Sequence, residues 1–359
     1  MILLILKYFF YAYFKTHSNL IKRSIFSLLT ALTSSLLLGP ILINFLKKNK
    51  IYQVIRANGP KIHYTKKNVP TMGGFLILSS IIISIFLWAD LSNIYIWNTL
   101  ITLIGFGLIG LIDDYKKNYY QTSTGLSYKS KLILLSIMSI FSIILILSTT
   151  KNNFFIQLIL PTKKYILINI KVIYIALLYF ILLGSSNAVN LTDGLDGLAI
   201  VPIIFITTGL YFLSIISGNV NYLQNFNIIY TPNIDELAVF CSAIIGSGLG
   251  FLWFNTYPAK IFMGDIGSLS LGGTIGIIAI LLHQEMIFFI MSGIFIIETL
   301  SVIIQVSYFK IKKKKIFKMT PIHHHYELEG CPEPRLIVRF WIISLIFTIL
   351  GLDFILKVN

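Results

Sequence analysis

Four short stretches of this 359-residue chain carry residue types that handle phosphate and divalent cations. The first is Asp113-Asp114, followed closely by Lys117. Two adjacent carboxylates repel each other, and the cost rises at the edge of a low-dielectric region. A cation relieves that repulsion, and Mg²⁺ held by one or two carboxylates plus substrate phosphates fits the need. Lys117 lies three residues beyond Asp114, on its helical face, where it could meet a phosphate. The plain alternative is a solvated helix end with an i,i+3 ion pair. The motif alone does not choose between them.

The second stretch runs from Asn187 to Ala199 and holds Asn190, Asp193 and Asp196 among glycines. Thr192 and Asp193 sit where a helix N-terminus is expected, and Gly194 and Gly197 let a ligand approach the backbone. Capping of the next helix accounts for one carboxylate, but not for two together with Asn190. The third stretch, Phe254 to Ser268, places Asn255, Phe262 and Asp265 in sequence, with Asp265 framed by Gly264 and Gly267. Asp265 is expected to open a helix. A helix N-terminus attracts phosphate, whereas a carboxylate there repels it unless Mg²⁺ bridges the two. Phe262 could stack on a base; the plain alternative is an N-cap acid and an interfacial Phe. The fourth stretch is His323-His324-His325. Zinc sites use i,i+4 or separated histidines, and three in a row point in different directions. Partly protonated imidazoles can instead bind phosphate or sugar hydroxyls; an exposed loop triplet is the alternative.

The elements that position these residues must be membrane helices. Hydrophobic residues make up 56% of the chain, charged ones 12%, and mean hydropathy is +0.83. Those values exclude an ordinary globular enzyme and a disordered chain. The apolar runs are continuous, which excludes the alternation of a membrane β-barrel. The expected fold is all-α, a polytopic membrane protein with ten transmembrane helices. The runs lie near 24–46, 74–91, 94–112, 132–149, 172–189, 198–217, 237–254, 267–284, 286–306 and 336–356. No repeat or linker divides the chain, so 1–359 is read as one domain. Residues 1–22 read as an interfacial segment, because Lys7 breaks the apolar stretch and no cleavage site follows. Residues 307–335 read as a long cytoplasmic loop whose Lys312–Lys318 run meets lipid headgroups. Cys241 and Cys331 fall on opposite faces, without disulfide or metal spacing. Glu298, inside the ninth run, is expected to face the bundle interior and hydrogen-bond there.

Charge orients the bundle. The chain has 29 Lys+Arg against 14 Asp+Glu, and most of the cations fall in loops after odd-numbered runs. The positive-inside rule puts those loops in the cytoplasm and both termini in the periplasm. Lys7, Lys15, Lys22 and Arg23, with Lys151, Lys163, Lys164 and Lys171, run against that assignment. The four chemical stretches share the cytoplasmic side, while Asp90, Asp235, Glu236 and Glu285 are left opposite. One active site on the cytoplasmic face is implied. A transporter built on Glu298 would show broken helices and internal repeats, and neither is visible in the sequence. No soluble basic domain exists to bind nucleic acid.

In this order and spacing the motifs closely resemble the phospho-N-acetylmuramoyl-pentapeptide-transferase branch of the bacterial polyprenyl-phosphate hexosamine-1-phosphate transferase superfamily. The resemblance runs from Gln53-Val54-Ile55-Arg56 and Pro70-Thr71-Met72-Gly73-Gly74, through the four stretches, to Pro332-Glu333-Pro334-Arg335 and Val338-Arg339-Phe340-Trp341. The acidic motifs are shared across the superfamily, and Pro321-Ile322-His323-His324-His325-Tyr326-Glu327 narrows it to this branch. Asn58, Asn68-Val69 and Cys331 depart from the usual pattern at loop margins.

The resemblance implies a multi-pass protein of the bacterial inner membrane. It implies transfer of phospho-MurNAc-pentapeptide from UDP-MurNAc-pentapeptide to undecaprenyl phosphate, with release of UMP and a requirement for Mg²⁺. Carried over by position, Asp265 is the metal ligand and, with Asp113, Asp114 and Lys117, catalytic. Lys131 faces phosphate. Lys66, Thr71, Asn190, Asp193, Asp196, Asn255 and Phe262 line the substrate pocket, Phe262 by stacking on uracil. His323, His324 and His325 hold the sugar-phosphate side. Membrane lipid surrounds the protein, and a homodimer is an expectation resting on the resemblance alone. Two mechanisms stay open, direct attack by the lipid phosphate and a phosphoryl-enzyme; the former is expected because lipid phosphate is already ionised near neutral pH.

Overall fold

A computed structural model of the chain describes residues 20–53, 66, 68–122, 124–149, 171–220, 228 and 230–356. The expected interfacial segment lies outside these residues except at 20–22, which open the first helix. Residues 54–56, Asn58, Lys7, Lys15, Lys151, Lys163 and Lys164 lie outside them as well. Among the described residues the structure is helical, with one isolated β-bridge between Tyr52 and Pro70.

The helices are α1 (Leu20–Lys48), α2 (Gly74–Trp88), α3 (Ile94–Tyr120), α4 (Tyr128–Thr149), α5 (Lys171–Thr192) and α6 (Ile200–Ser217). They continue with α7 (Leu237–Asn255), α8 (Gly264–Leu281), α9 (Glu285–Met291), α10 (Gly293–Lys312), α11 (Ile322–Leu328) and α12 (Glu333–Leu356). Among the described residues nine helices are long and apolar enough to cross a membrane. The chain is therefore a multi-pass membrane protein by length and composition. The run expected at 74–91 folds as α2, with 15 residues, and falls below that length.

The centre of the bundle is α8, whose residues from Asp265 to Leu281 are all buried. Its many Gly, Ser, Thr and Ala residues let neighbouring helices approach closely, which suits the bundle interior. It packs most closely on α3 and α5, while α1 lies along α7. Small residues make this approach possible. A Cβ on Gly74 of α2 would collide with the Gly267 backbone of α8. Hydroxyls tie other seams: Ser27 of α1 donates to the Val239 carbonyl of α7 at 2.9 Å and lies 2.8 Å from Ser84 Oγ of α2. Outward faces remain apolar, as at Leu37, Ile41 and Phe45 of α1 and Ile133, Ile137 and Ile144 of α4. Lipid covers such surfaces at no desolvation cost.

The structure departs from the sequence reading in three places. The ninth run is not continuous: α9 ends at Met291 and α10 begins at Gly293, where a Cβ would meet the Phe347 ring of α12. The expected 307–335 loop holds the end of α10, all of α11 and the start of α12. Asn187 to Thr192 form the last turns of α5 rather than a lead-in to the next helix, and α6 starts after Ala199 without a side-chain cap. The capping alternative for Asp193 and Asp196 thus fails. Trapping Asn190 inside a helix end gives it a fixed direction, which a loop would not.

Candidate functional site

The first cluster forms where α3, α4, α5 and α8 end or begin together. A Cβ on Gly110 would collide with the Asp265 carbonyl, so α3 lies directly against the first turn of α8. Gly264 begins α8 at φ +73, in the left-handed region that glycine tolerates. A Cβ there would stand 2.6 Å from Asp114 Oδ2. This approach gives the adjacent acids separate tasks. Asp114 Oδ2 accepts the Ile266 N–H at 3.2 Å, serving a first-turn donor that the α8 N-cap, Met263, leaves bare. Asp113 turns the other way. Its Oδ1 accepts the Leu126 N–H at 2.5 Å and its Oδ2 lies 2.8 Å from Lys117 Nζ.

Asp265 faces the same ammonium groups. Its Oδ2 lies 2.9 Å from Lys117 Nζ and 2.6 Å from Lys131 Nζ, and Lys131 reaches Asp113 Oδ2 at 3.4 Å. Asp113, Lys117, Asp265 and Lys131 form a ring of alternating charge. The sequence placed Lys117 on the Asp114 face, but that contact is the longer one, at 3.8 Å. Asn190 supports the ring from α5. Its Nδ2 donates to Asp265 Oδ1 at 2.9 Å and Ser268 Oγ at 2.8 Å, and its Oδ1 accepts from Lys131 at 3.3 Å. Thr71 is buried beside Gly264, held there because the Phe262 N–H donates to the Pro70 carbonyl at 2.8 Å and the Gly73 N–H to the Phe262 carbonyl at 2.8 Å.

Three carboxylates share two ammonium groups here, so the cluster keeps a negative excess. Asp193, just past α5, feels it. Burial, and then the nearby Asp265, Asp114 and Asp196 carboxylates, push its carboxyl up to about 8, against the pull of Lys117. Among the described residues no three His, Cys, Asp or Glu side chains make a ready metal cage. Mg²⁺ rarely uses such a cage; it takes one or two carboxylates and leaves the remaining positions to water and phosphate. Hard oxygen donors with surplus negative charge, namely Asp265 and Asp113, fit that habit.

A second cluster surrounds Lys66. Its Nζ lies 2.6 Å from Asp196 Oδ1 and 2.5 Å from Glu333 Oε1. It stands 5.8 Å from the Tyr257 ring centroid and 5.9 Å from that of Phe262. Asp196 Oδ2 accepts the Ala259 N–H at 2.9 Å. The Asn255 amide bridges two loops. Its Oδ1 accepts the Gly197 N–H at 2.9 Å and its Nδ2 donates to the Ile261 carbonyl at 2.8 Å, pinning the two loops together. Trp341 Nε1 adds a bond to the Gly197 carbonyl at 3.1 Å.

The histidines lie on the short helix α11 and diverge. His323 Nδ1 is 3.0 Å from Glu298 Oε1, with both side chains 0% exposed, and its Nε2 abuts Gly194. Glu298 thus faces inward and is engaged, as expected. His324 Nδ1 lies 2.7 Å from Glu327 Oε2. His325 Nδ1 accepts the Lys318 N–H at 3.2 Å, tying the basic run back onto α11. His323 reaches the acidic loop, whereas His324 and His325 bond within their own segment.

Sequence reasoning missed Glu333, Ser268 and Trp341. Glu333 had a signal: an acid between two prolines at the start of an apolar run, though such an acid usually reads as a simple helix-start charge.

Comparison with known proteins adds identity to this geometry. The glycosyl transferase family 4 model matches residues 96–283. A phospho-N-acetylmuramoyl-pentapeptide-transferase of Buchnera aphidicola subsp. Baizongia pistaciae (strain Bp) is 62% identical over 340 residues, covering 95% of this chain and 100% of that protein. One from Buchnera aphidicola subsp. Acyrthosiphon pisum (strain 5A) is 54% identical over 348 residues, covering 96% of this chain and 98% of that protein.

Proposed function

The chain belongs to the phospho-N-acetylmuramoyl-pentapeptide-transferase family, and from that premise we propose that it transfers phospho-MurNAc-pentapeptide from UDP-MurNAc-pentapeptide to undecaprenyl phosphate, forming the first lipid intermediate of peptidoglycan and releasing UMP. The observation that carries the reading is the charge ring of Asp113, Lys117, Asp265 and Lys131, with Asn190 behind it, gathered at one end of an apolar bundle. A lipid phosphate cannot leave the bilayer and a nucleotide cannot enter it. The reaction needs a polar site at the boundary, and this ring is one.

The chemistry follows from charge. An oxygen of the lipid phosphate attacks the β-phosphorus of the nucleotide sugar. A new P–O bond forms, and the bond to the UMP oxygen breaks with its electron pair leaving on UMP. Several negative charges meet in that step, so positioning and neutralisation do most of the work. Lys117 and Lys131 are free to exchange carboxylate partners for phosphate oxygens. Asp113, facing the ammonium groups, orients the incoming lipid phosphate; Asp114 is committed to holding the start of α8. Asp265, with Asp113, would hold Mg²⁺, which supplies charge neutralisation on the diphosphate. Phe262 offers a flat face to uracil, and His323 abuts the loop that carries Asp193.

This reading places the protein in a bacterial inner membrane, with ten crossings, both termini periplasmic and the site facing the cytoplasm, where the nucleotide sugar is available. The grouping of Lys-rich helix ends, α1 at Lys47-Lys48 and α10 at Lys310 and Lys312, on the site's end supports that orientation. A homodimer rests on the family alone. The break before α10 is a feature a transporter would share, but Glu298 is bound to His323, and no repeat accompanies it.

Release of UMP from UDP-MurNAc-pentapeptide plus undecaprenyl phosphate, measured with and without Mg²⁺, tests the proposal. Turnover only with UDP-GlcNAc would move the chain to another branch of the superfamily. Exchange of labelled UMP into the nucleotide sugar without lipid would defeat direct attack in favour of a phosphoryl-enzyme.

A further inference from the structure

The transfer step makes no use of Glu333, yet this side chain is built into the site. It stands at the start of α12, only 5% exposed. Its Oε1 accepts from Lys66 Nζ at 2.5 Å and from the Asp196 N–H at 3.2 Å. Its Oε2 is buried and has no hydrogen-bond partner among the described residues. A bare, buried carboxylate oxygen carries the desolvation cost of a charged acceptor without the return of a bond. The neighbouring acceptors are taken: Asp196 Oδ1 by Lys66, Asp196 Oδ2 by the Ala259 N–H, and Asn255 Oδ1 by the Gly197 N–H. Among the described residues one acceptor in this corner is left for a donor.

The surroundings say what kind of donor. Lys66 holds an ammonium beside that acceptor, and the Tyr257 and Phe262 rings lie within 5.9 Å of it. A flat ring laid on Phe262 lies near the Lys66 ammonium, and the Glu333 carboxylate lies against that same ammonium. Uracil has the matching edge, an imide N–H flanked by carbonyls. Cytosine, held in the same register by its ribose, would set the N3 lone pair against the carboxylate. Sites built around one hydrogen bond reject the analogue that lacks it.

We infer that Glu333 reads the base of the nucleotide donor: Oε2 accepts the uracil N3–H while Lys66, held between Asp196 and Glu333, donates to an adjacent ring carbonyl. The inference rests on the transfer reading above and names a specificity residue within it.

The test uses the full chain, purified in detergent, with UMP, CMP and N3-methyl-UMP as competitors of the nucleotide sugar. The wild type should bind UMP about tenfold or more tightly than either other nucleotide. Glu333→Gln keeps the shape but removes the acceptor-only character, and should lose most of the UMP-over-CMP preference. Glu333→Asp should weaken binding yet keep the preference. N3-methyl-UMP binding within about twofold of UMP to the wild type would overturn the inference without need of any variant. So would a Glu333→Gln protein with an unchanged UMP-to-CMP ratio. If the folded wild type bound none of the three, the transfer reading would fail first and this inference with it.

Discussion

At the far end of the bundle from the charge ring, Arg23 of α1 meets Glu236 just before α7. The pair is two-pronged, at 2.7 and 2.8 Å, and is completed by the Trp88 carbonyl at 3.3 Å from Arg23 Nη1 and the Asp90 N–H at 2.6 Å from Glu236 Oε1. The bidentate contact is backed by two backbone groups, and Asp235 also feels the Arg23 charge. In the ring of Asp113, Lys117, Asp265 and Lys131 the partners are shared, and with Asp114 beside it three carboxylates meet two ammonium groups. Both are half-buried ion-pair systems in one fold. The closed pair locks helices together, whereas the shared set is stable enough to exist and unbalanced enough to accept a cation or a phosphate. A bidentate contact marks the structural clamp, and shared partners mark the reactive centre.

Mutations sharpen that contrast. Asp265→Ala should lower the rate of UMP release by about 10³-fold or more while the protein still purifies as a folded species; normal activity in that variant would overturn its metal assignment. Arg23→Ala should do the reverse. It strands Glu236 and should cost about 3 kcal/mol of stability, read as a lower unfolding midpoint in detergent, with the rate per folded molecule changed less than about twofold. Replacing both partners with apolar residues, Arg23→Met with Glu236→Leu, should restore most of that midpoint. An activity loss in Arg23→Ala matching that of Asp265→Ala would erase the distinction between the two ends.

Gly264→Ala is a milder probe of the reactive end. It forces a Cβ into a left-handed position beside Asp114 Oδ2 and should cost about 1–2 kcal/mol, with activity down roughly tenfold because the start of α8 shifts. The smallest expected signal is a proton count. With its carboxyl pushed up to about 8, Asp193 is mostly protonated at pH 7. A divalent cation arriving beside Asp265 and Asp113 favours the ionised form, so Mg²⁺ addition at pH 7 should release up to about one proton. Calorimetry in buffers of different ionisation enthalpy reads this directly, and Asp193→Asn should reduce it. No release from the wild type would detach Asp193 from the cation site.

The sequence made some of this legible and hid the rest for a physical reason. Acids and amides that are costly at membrane depth stand out against an apolar chain, so Asp113, Asp193, Asn255 and Asp265 were identifiable, and the structure brings their segments to one end. Which acid does what was not legible. Asp113 and Asp114 are identical neighbours until the Gly264 backbone approaches one of them. Asn255 reads as a ligand-facing amide until two loops claim both its ends. Arg23 counted against the charge-based orientation because its counter-charge sits 213 residues away, and no local pattern encodes that distance. His283 Nδ1 lies 3.5 Å from Tyr174 Oη, a hydroxyl that also donates to Glu285 at 2.7 Å, and no sequence pattern links the three. Periodicity reveals helices, while pairing between distant side chains emerges only when the helices pack.

The Arg23–Glu236 pair also bears on how the chain is made. A ribosome delivers Arg23 with the first helix and Glu236 only ahead of the seventh. For the whole interval between them, the nascent protein carries a guanidinium without its Glu236 partner. Docking of α7 then discharges that burden. Biogenesis of the first helix is therefore finished late, and a chain truncated before Glu236 should be the form that quality-control proteases find most readily.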